Sequence, residues 1–208
     1  MRAEARAIRP QTKGQHDGGT NLRKLLVFNS VSLDGYFTDK NNDMSWAHQQ
    51  ADHEWTEFTN ENAKSGGELL FGRVTYDLMK SFWPTPQAAK QFPVVAKQMN
   101  DAPKVVFSRT MDKPTWNNTR LVKGDLPEEV RKLKEEPGPD MVLMGSGTIV
   151  SQLAPAGVID EYQIIVNPIV LGDGRTLFEG VKEKLRFKVK STRAFRNGNV
   201  LVCYLPVR

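Results

Sequence analysis

Apolar residues along this chain fall into short unbroken runs of strand length, separated by stretches in which they recur every three or four positions. Lys24 to Ser30 is the first run, and the Leu33-Asp34-Gly35 turn follows it, which predicts a buried opening strand. In Ala51 to Lys64 the residues Trp55, Phe58 and Ala63 share one face of a predicted surface helix. Glu68 to Phe71 predicts a short strand that runs straight into Gly72. Val74, Leu78 and Phe82 then recur at helical spacing until Pro84 stops the helix. Lys104 to Phe107 and Thr119 to Val122 predict two more strands, and Leu126-Pro127-Glu128-Glu129 opens a helix with proline and acids in its first turn.

The alternation continues through Met141 to Met144, a strand ending in Gly145-Ser146-Gly147. Thr148 to Leu153 begins a helix ended by Pro155 and Gly157, and Glu161 to Val166 is a further strand. Strands separated by helices predict an α/β fold with a mostly parallel central sheet and helices on both faces. The last part differs. Arg186 to Phe195 and Asn199 to Val207 flank Asn197-Gly198, the signal of a two-residue turn, so an antiparallel hairpin is expected to close the sheet.

Residues 1–21 mix Arg2, Arg6, Arg9 and Lys13 with Gly14, Gly18 and Gly19 without periodicity, and are expected to be a disordered tail or a remnant of cloning. Residues 22–208 suffice for one domain with its own core. No apolar run approaches the roughly 20 residues a membrane helix needs, and Met1 to Thr20 lacks the apolar centre of a secretory signal. A soluble, cytoplasmic protein with no membrane partner is the expectation. Cys203, the single cysteine, sits in the alternating stretch Val200 to Val207 and reads as a small buried thiol. The net charge of +5 comes from basic residues interleaved with acidic ones rather than from a Lys/Arg run, so no nucleic-acid partner is expected. A basic bias also suits a cofactor carrying several phosphates.

Three strand ends carry groups that seek phosphate. Gly72-Arg73-Val74-Thr75 opens a helix, so free N–H groups, the helix dipole, a guanidinium and a hydroxyl point toward one anion. Gly145-Ser146-Gly147-Thr148 does the same without an arginine, and its glycines let a pyrophosphate approach the backbone. Ser108-Arg109-Thr110 leaves its strand with the pair suited to the 2′-phosphate of NADP. In open sheets, ligands bind beyond the carboxyl ends of the strands, where these segments would converge on one dinucleotide. Each segment alone also has a plain structural reading, as a helix start or a solvated arginine. His16, His48 and His53 lack a glycine-flanked serine to activate, and with one cysteine they offer no metal-ligand spacing, so neither a hydrolase nor a metal site is indicated.

In order and content the chain resembles the dihydrofolate reductase superfamily over roughly Lys24 to Val207. The resemblance rests on Ser32-Leu33-Asp34-Gly35, Leu70-Phe71-Gly72-Arg73-Val74-Thr75-Tyr76, Val105-Val106-Phe107-Ser108-Arg109, the turn at Gly145, and Ile159-Asp160-Glu161-Tyr162 with Pro168-Ile169-Val170-Leu171-Gly172. The last two pieces look like the branch containing the reductase domain of riboflavin biosynthesis, while Gly-Arg-Val-Thr looks like dihydrofolate reductase itself.

The resemblance implies a three-layer α/β/α fold and an NADPH-dependent reductase of a small heterocycle. That heterocycle would be the 5-amino-6-(5-phosphoribosylamino)uracil of riboflavin synthesis or a pterin, and a non-catalytic nucleotide-binding protein is the alternative. It implies that Gly72, Arg73 and Thr75 hold phosphates and that Ser108 and Arg109 hold the 2′-phosphate. Gly145, Ser146, Gly147, Thr148 and Ile149 would hold the pyrophosphate and nearby ribose, with the backbone of Ser30 and Val31 facing the nicotinamide. On the substrate side it points to Phe28, Asp34, Trp46 and Met144. Riboflavin-pathway reductases carry a lysine where this chain has Phe28 and a glutamate where it has Met144, so a flat, weakly polar ring is expected between the first strand and the helix near Ala51. Trp46 with Asp52 or Glu54 is a loose counterpart of the tryptophan and acid of dihydrofolate reductase, and Asp52 reads either as a proton donor or as a helix cap. A homodimer is expected through the terminal hairpin, where Val200, Val202 and Leu205 would let a strand reach a partner's sheet.

Overall fold

The computed structural model describes residues 22–48, 51–145 and 147–207; the expected tail over 1–21, with His16, and Ser146 lie outside the described residues. Eight strands make one sheet. In chain order they are β1 (Leu25–Val31), β3 (Glu68–Gly72), β4 (Lys104–Phe107), β5 (Thr119–Val122), β6 (Met141–Leu143), β7 (Glu161–Val166), β9 (Phe187–Ala194) and β10 (Val200–Pro206). They lie in the order β5-β4-β3-β6-β1-β7-β10-β9, and every neighbouring pair from β5 to β7 is parallel. β10 runs antiparallel to both β7 and β9. The mostly parallel sheet with a C-terminal antiparallel hairpin is as the sequence predicts.

Helices cover both faces. On one, α5 (Leu126–Glu135) and α6 (Gly147–Leu153) bury Leu126, Val130, Leu133, Val150 and Leu153 against Leu25, Val27, Leu70 and Leu143. On the other, α1 (His53–Lys64) seats Trp55 and Phe58 against Ile165, Phe195, Leu201 and Cys203, with Phe28 alongside. Cys203 is buried there, and the surrounding apolar side chains push its thiol pKa up. α2 (Arg73–Phe82), α3 (Pro86–Gln91) and α4 (Pro93–Asp101) complete the α-helices among the described residues, and a 3-10 turn spans Ser45–His48. None is long and apolar enough to cross a membrane.

Three expectations need correction. Val74 and Leu78 do recur at helical spacing, yet they are 68% and 51% exposed. α2 docks instead through Tyr76 and Met79, because the Tyr76 hydroxyl accepts the N–H groups of Thr115 (3.0 Å) and Trp116 (2.8 Å) and fixes which side faces inward. The hairpin turn is also one residue longer than expected. Gly198 takes φ 88° while Asn197 stays out of the left-handed region, Gly198 N donates to Phe195 O at 3.0 Å, and Phe195 N donates to Asn199 O at 2.9 Å. A two-residue Asn-Gly turn would need positive φ at Asn197, so the loop is Arg196-Asn197-Gly198 with the glycine as its left-handed residue. Finally, β10 lies inside the sheet and β9 forms its edge, so Val200, Val202 and Leu205 are half-buried and are not on an edge strand open to a partner.

A small second sheet was not foreseen. β2 (Tyr36–Asp39) pairs antiparallel with β8 (Gly174–Thr176), and Phe37 from β2 enters the core beside Leu177.

At the other side of the molecule Lys104 is 1% exposed. Its ammonium donates to the carbonyls of Asn100 (3.0 Å), Ala102 (2.7 Å) and Asn117 (3.2 Å) and lies 4.7 Å from the centre of the Trp116 ring, tying the end of α4 to the loop before β5. Burial lowers its pKa to about 8. Lys104→Met removes the donor from three carbonyls and should cost about 3 kcal/mol in urea unfolding. The unfolded chain keeps the lysine proton up to 10.5 while the folded one releases it near 8. Wild-type stability should therefore rise relative to the variant between those values, and urea midpoints at about pH 7.5 and about pH 9.5 check this.

Candidate functional site

The site begins where β6 stops. β1 pairs with β6 only from Leu25 to Val27, whereas it pairs with β7 from Leu26 to Val31. The carbonyls of Leu25 and Val31 accept from Asp160 N (2.9 Å) and Asn167 N (2.8 Å) on the β7 side. Alternation turns the backbone of Ser30 the other way, toward space that β6 has vacated. The chain leaves β1 for β3 on one side and returns through β6 to β7 on the other, so this gap is the switch point of the sheet, where ligands of such folds bind.

Gly145 closes the far wall with φ 71°, and a Cβ added there would sit 3.4 Å from Asn29 Oδ1 and 3.6 Å from Thr75 Oγ1. Asn29, Thr75 and Gly145 thus meet around one small space. Thr75 is the third residue of α2, whose N-cap Gly72 supplies no side-chain acceptor and whose first turn has no acid. Its leading N–H groups are left for something else. Asn29, in the middle of β1, is 5% exposed and its Nδ2 has no hydrogen-bond partner. Sequence reasoning passed over it because a lone amide in an apolar strand matches no motif. Its signal was the cost of placing an amide there at all.

Around this centre the other predicted residues are divided. Arg73 is exposed and only loosely paired with Asp77 at 3.6 Å, and with Thr110, Lys80 and Lys113 it lines an open cleft of about 300 Å³. Ser108 Oγ accepts the N–H of Met111 (3.0 Å) and Thr110 (3.3 Å), which tightens the turn that carries Arg109. Arg109 is exposed, with no ion-pair partner among the described residues. The glycine turn does acquire a guanidinium: Arg175 Nη2 of β8 donates to Thr148 Oγ1 at 3.3 Å. A residue 27 positions away left no local signal in the sequence. Gly147 serves packing, since a Cβ there would meet Phe37 Cε1 at 2.6 Å, and the Ile149 side chain is buried in the core. Val31 gives its carbonyl to Asn167.

On the α1 face Phe28 packs beside the Trp55 and Phe58 cluster and Met144 beside Leu69, Phe71 and Tyr76; both are half-buried. Asp34 is a loop clamp. It accepts from Ser32 Oγ (2.6 Å), Leu171 N (3.2 Å) and Gly172 N (2.8 Å), and the Ser32 hydroxyl leads the causes that hold its carboxyl below the usual range. Trp46 is buried and donates from Nε1 to Asp43 O at 3.1 Å. Asp52 is the N-cap of α1, accepting from Trp55 N at 2.7 Å. Glu54 accepts from Arg196 N (3.0 Å) and Arg193 (3.2 Å), contacts that lower its pKa. No group of three or more His, Cys, Asp or Glu side chains able to hold a metal occurs among the described residues.

This sheet order, with a ligand gap at its switch point, defines a dihydrofolate reductase-like α/β protein. The chain belongs to the RibD C-terminal domain family, whose model matches residues 23–201, and that family points to a reductase. The uncharacterized protein YyaP of Bacillus subtilis is 31% identical over 88% of this chain and 94% of its own. A putative riboflavin biosynthesis protein from Shewanella sp. PV-4 superposes with a TM-score of 0.68 at 26% identity, covering 89% of this chain and 99% of that one. A dihydrofolate reductase from Enterococcus faecalis, solved as a complex with NADP(H), shares the fold at a TM-score of 0.54 and 14% identity over 89% and 97% of the two chains.

Gly145→Ala forces a left-handed alanine and fills the space between Asn29 and Thr75. It should lower stability by about 1 to 2 kcal/mol in urea unfolding and weaken dinucleotide binding beyond that loss, as calorimetry on the folded variant would read.

Proposed function

We propose that this protein is an NADPH-dependent reductase acting on a small, flat heterocycle. One observation carries the reading: three donor-rich turns, after β3, β4 and β6, leave adjacent parallel strands beside the gap that β6 opens next to Ser30. The residues present fit a dinucleotide. Gly145 leaves room that a side chain would fill, the start of α2 has uncapped N–H groups, and a buried amide donor at Asn29 lacks a partner.

In this reading the N–H groups of Arg73 to Thr75 and the Thr75 hydroxyl bind the diphosphate. Arg73, which lines the cleft, binds the 2′-phosphate together with Ser108 and Arg109 of the turn after β4. Gly145 admits the backbone approach, with Thr148 and Arg175 on the far side of the turn. The backbone of Ser30 orients the carboxamide of the nicotinamide ring. NADPH, when bound, supplies the hydride. Phe28 and Met144 offer an apolar wall to the acceptor ring. Asp52 acts as the cap of α1, and no acid of the described residues is assigned as proton donor. The same reading makes the protein a soluble, cytoplasmic homodimer, with β9 rather than β10 as the free sheet edge.

Arg109→Ala should weaken NADPH about tenfold to a hundredfold, the worth of one charge-assisted contact, and leave NADH nearly unchanged. Calorimetric titration with both cofactors reads this, and equal losses would overturn the assignment. For the acceptor, steady-state kinetics with NADPH should favour unphosphorylated fused rings, the bicyclic pterins or the tricyclic flavins, over the phosphoribosylaminouracil. Efficient reduction of the phosphorylated pyrimidine would show that Phe28 and Met144 do not set the substrate.

A further inference from the structure

Asn29 is the one residue of β1 whose chemistry neither packing nor sheet pairing explains. It sits between Val27 and Val31 on the face that those residues give to the core, opposite Ile164 of β7. An unsatisfied buried donor destabilises the fold that contains it, and a leucine or valine would fill the position without that cost. The groups gathered around it are of one kind. Thr75 Oγ1 lies 3.6 Å, and Asn29 Oδ1 3.4 Å, from the point where Gly145 lacks a Cβ, and the ten-residue α2 begins there with no side-chain cap and no acid in its first turn. The three heavy atoms nearest that point are Asn29 Oδ1 and two atoms of Thr75, with no carboxylate among them. The Asn29 amide turns Oδ1 toward that point, and a half-turn about its last bond puts the unpartnered Nδ2 there instead; so turned, a space edged by N–H groups, a hydroxyl and an amide donor is matched by an acceptor-rich anion rather than by an amine or a ring N–H.

We infer that the Asn29 side-chain amide is a phosphate-binding group, donating from Nδ2 to an oxygen of a dinucleotide diphosphate held between the start of α2 and Gly145. The inference rests on the dinucleotide reading above and extends it to a residue on β1, beneath the ligand. Asn29 thereby couples two properties of opposite sign: it weakens the empty protein and strengthens the loaded one.

The test uses the full chain and two variants, Asn29→Leu and Asn29→Asp, with Asn29→Ala as a smaller replacement. Three ligands are titrated by calorimetry: NADPH, 2′-phospho-ADP-ribose, which keeps the diphosphate but lacks nicotinamide, and adenosine 2′-monophosphate, which has no diphosphate. Asn29→Leu should leave the thermal midpoint of the ligand-free protein equal or higher. It should weaken NADPH and 2′-phospho-ADP-ribose about tenfold and leave adenosine 2′-monophosphate unchanged. Asn29→Asp should weaken the two diphosphates further than Asn29→Leu does, because it sets a carboxylate against them. Asn29→Ala should follow Asn29→Leu in binding. Unchanged diphosphate affinity in Asn29→Leu and Asn29→Ala, or equal loss of all three ligands with a lowered midpoint, would overturn the assignment. So would Asn29→Asp binding diphosphates as well as Asn29→Leu. A wild-type protein that binds none of the three overturns the dinucleotide reading itself, which is a different failure from wild-type binding that the variants match.

Discussion

β6 pairs with β1 for three residues and then departs, while β1 runs on beside β7 to Val31. A strand in the middle of a sheet cannot leave backbone N–H and C=O groups buried and unpaired. Beyond Val27 the ladder with β6 ends, and the half-buried Ser30 turns its backbone groups to the side that β6 has left. Met144 keeps contact with β3 by donating its N–H to Leu70 O at 3.2 Å. The chain then turns away through Gly145, and the start of α2 and the glycine turn are brought to either side of one opening. The site is in this sense a property of strand length.

Charge is distributed with the same economy. Acids near the opening are engaged as braces: Asp34 holds the loop after β7, Asp52 caps α1, and Glu54 ties α1 to the hairpin. The Asp160-Glu161 pair that carries part of the family resemblance lies at the opposite end of the sheet. Asp160 accepts from Leu25 N and Lys134, and Glu161 accepts from Lys190 and Gln163. Asp160 aligns β1 with the beginning of β7, and Glu161 ties β7 to Lys190 of β9. What remains at the opening is almost wholly donors and cations.

Most of the central sheet was legible because its strands are unbroken apolar runs bounded by Gly, Pro and charged residues, a signal that local sequence carries in full. β4, β5 and β7 were read to the residue. Features set by distant partners were not. β2 and β8 are too short to show a period, and each exists through the other. α2 shows an apolar stripe at Val74 and Leu78, but a tyrosine hydroxyl with two backbone partners outweighs it. At the site, the three turns were visible as local chemistry, whereas Asn29 and Arg175 became visible only through what surrounds them: a buried amide with no acceptor, and a guanidinium arriving from another sheet.

The position of β1 also governs how the chain comes together. It is the first strand made, yet both its partners are made late: Lys24 meets Asp140 across 116 residues, and Leu25 meets Asp160 across 135. The β3, β4 and β5 segment can pair among itself long before then, since each is parallel to its neighbour with only helices between β3 and β4 and a loop between β4 and β5. During synthesis a seven-residue apolar strand therefore waits without a sheet until β6 and β7 emerge, and closing such long loops is slow and leaves sticky surface exposed meanwhile. The strand that borders the binding gap in the finished protein is the first made in the growing one, and it is secured only after most of the chain has followed it.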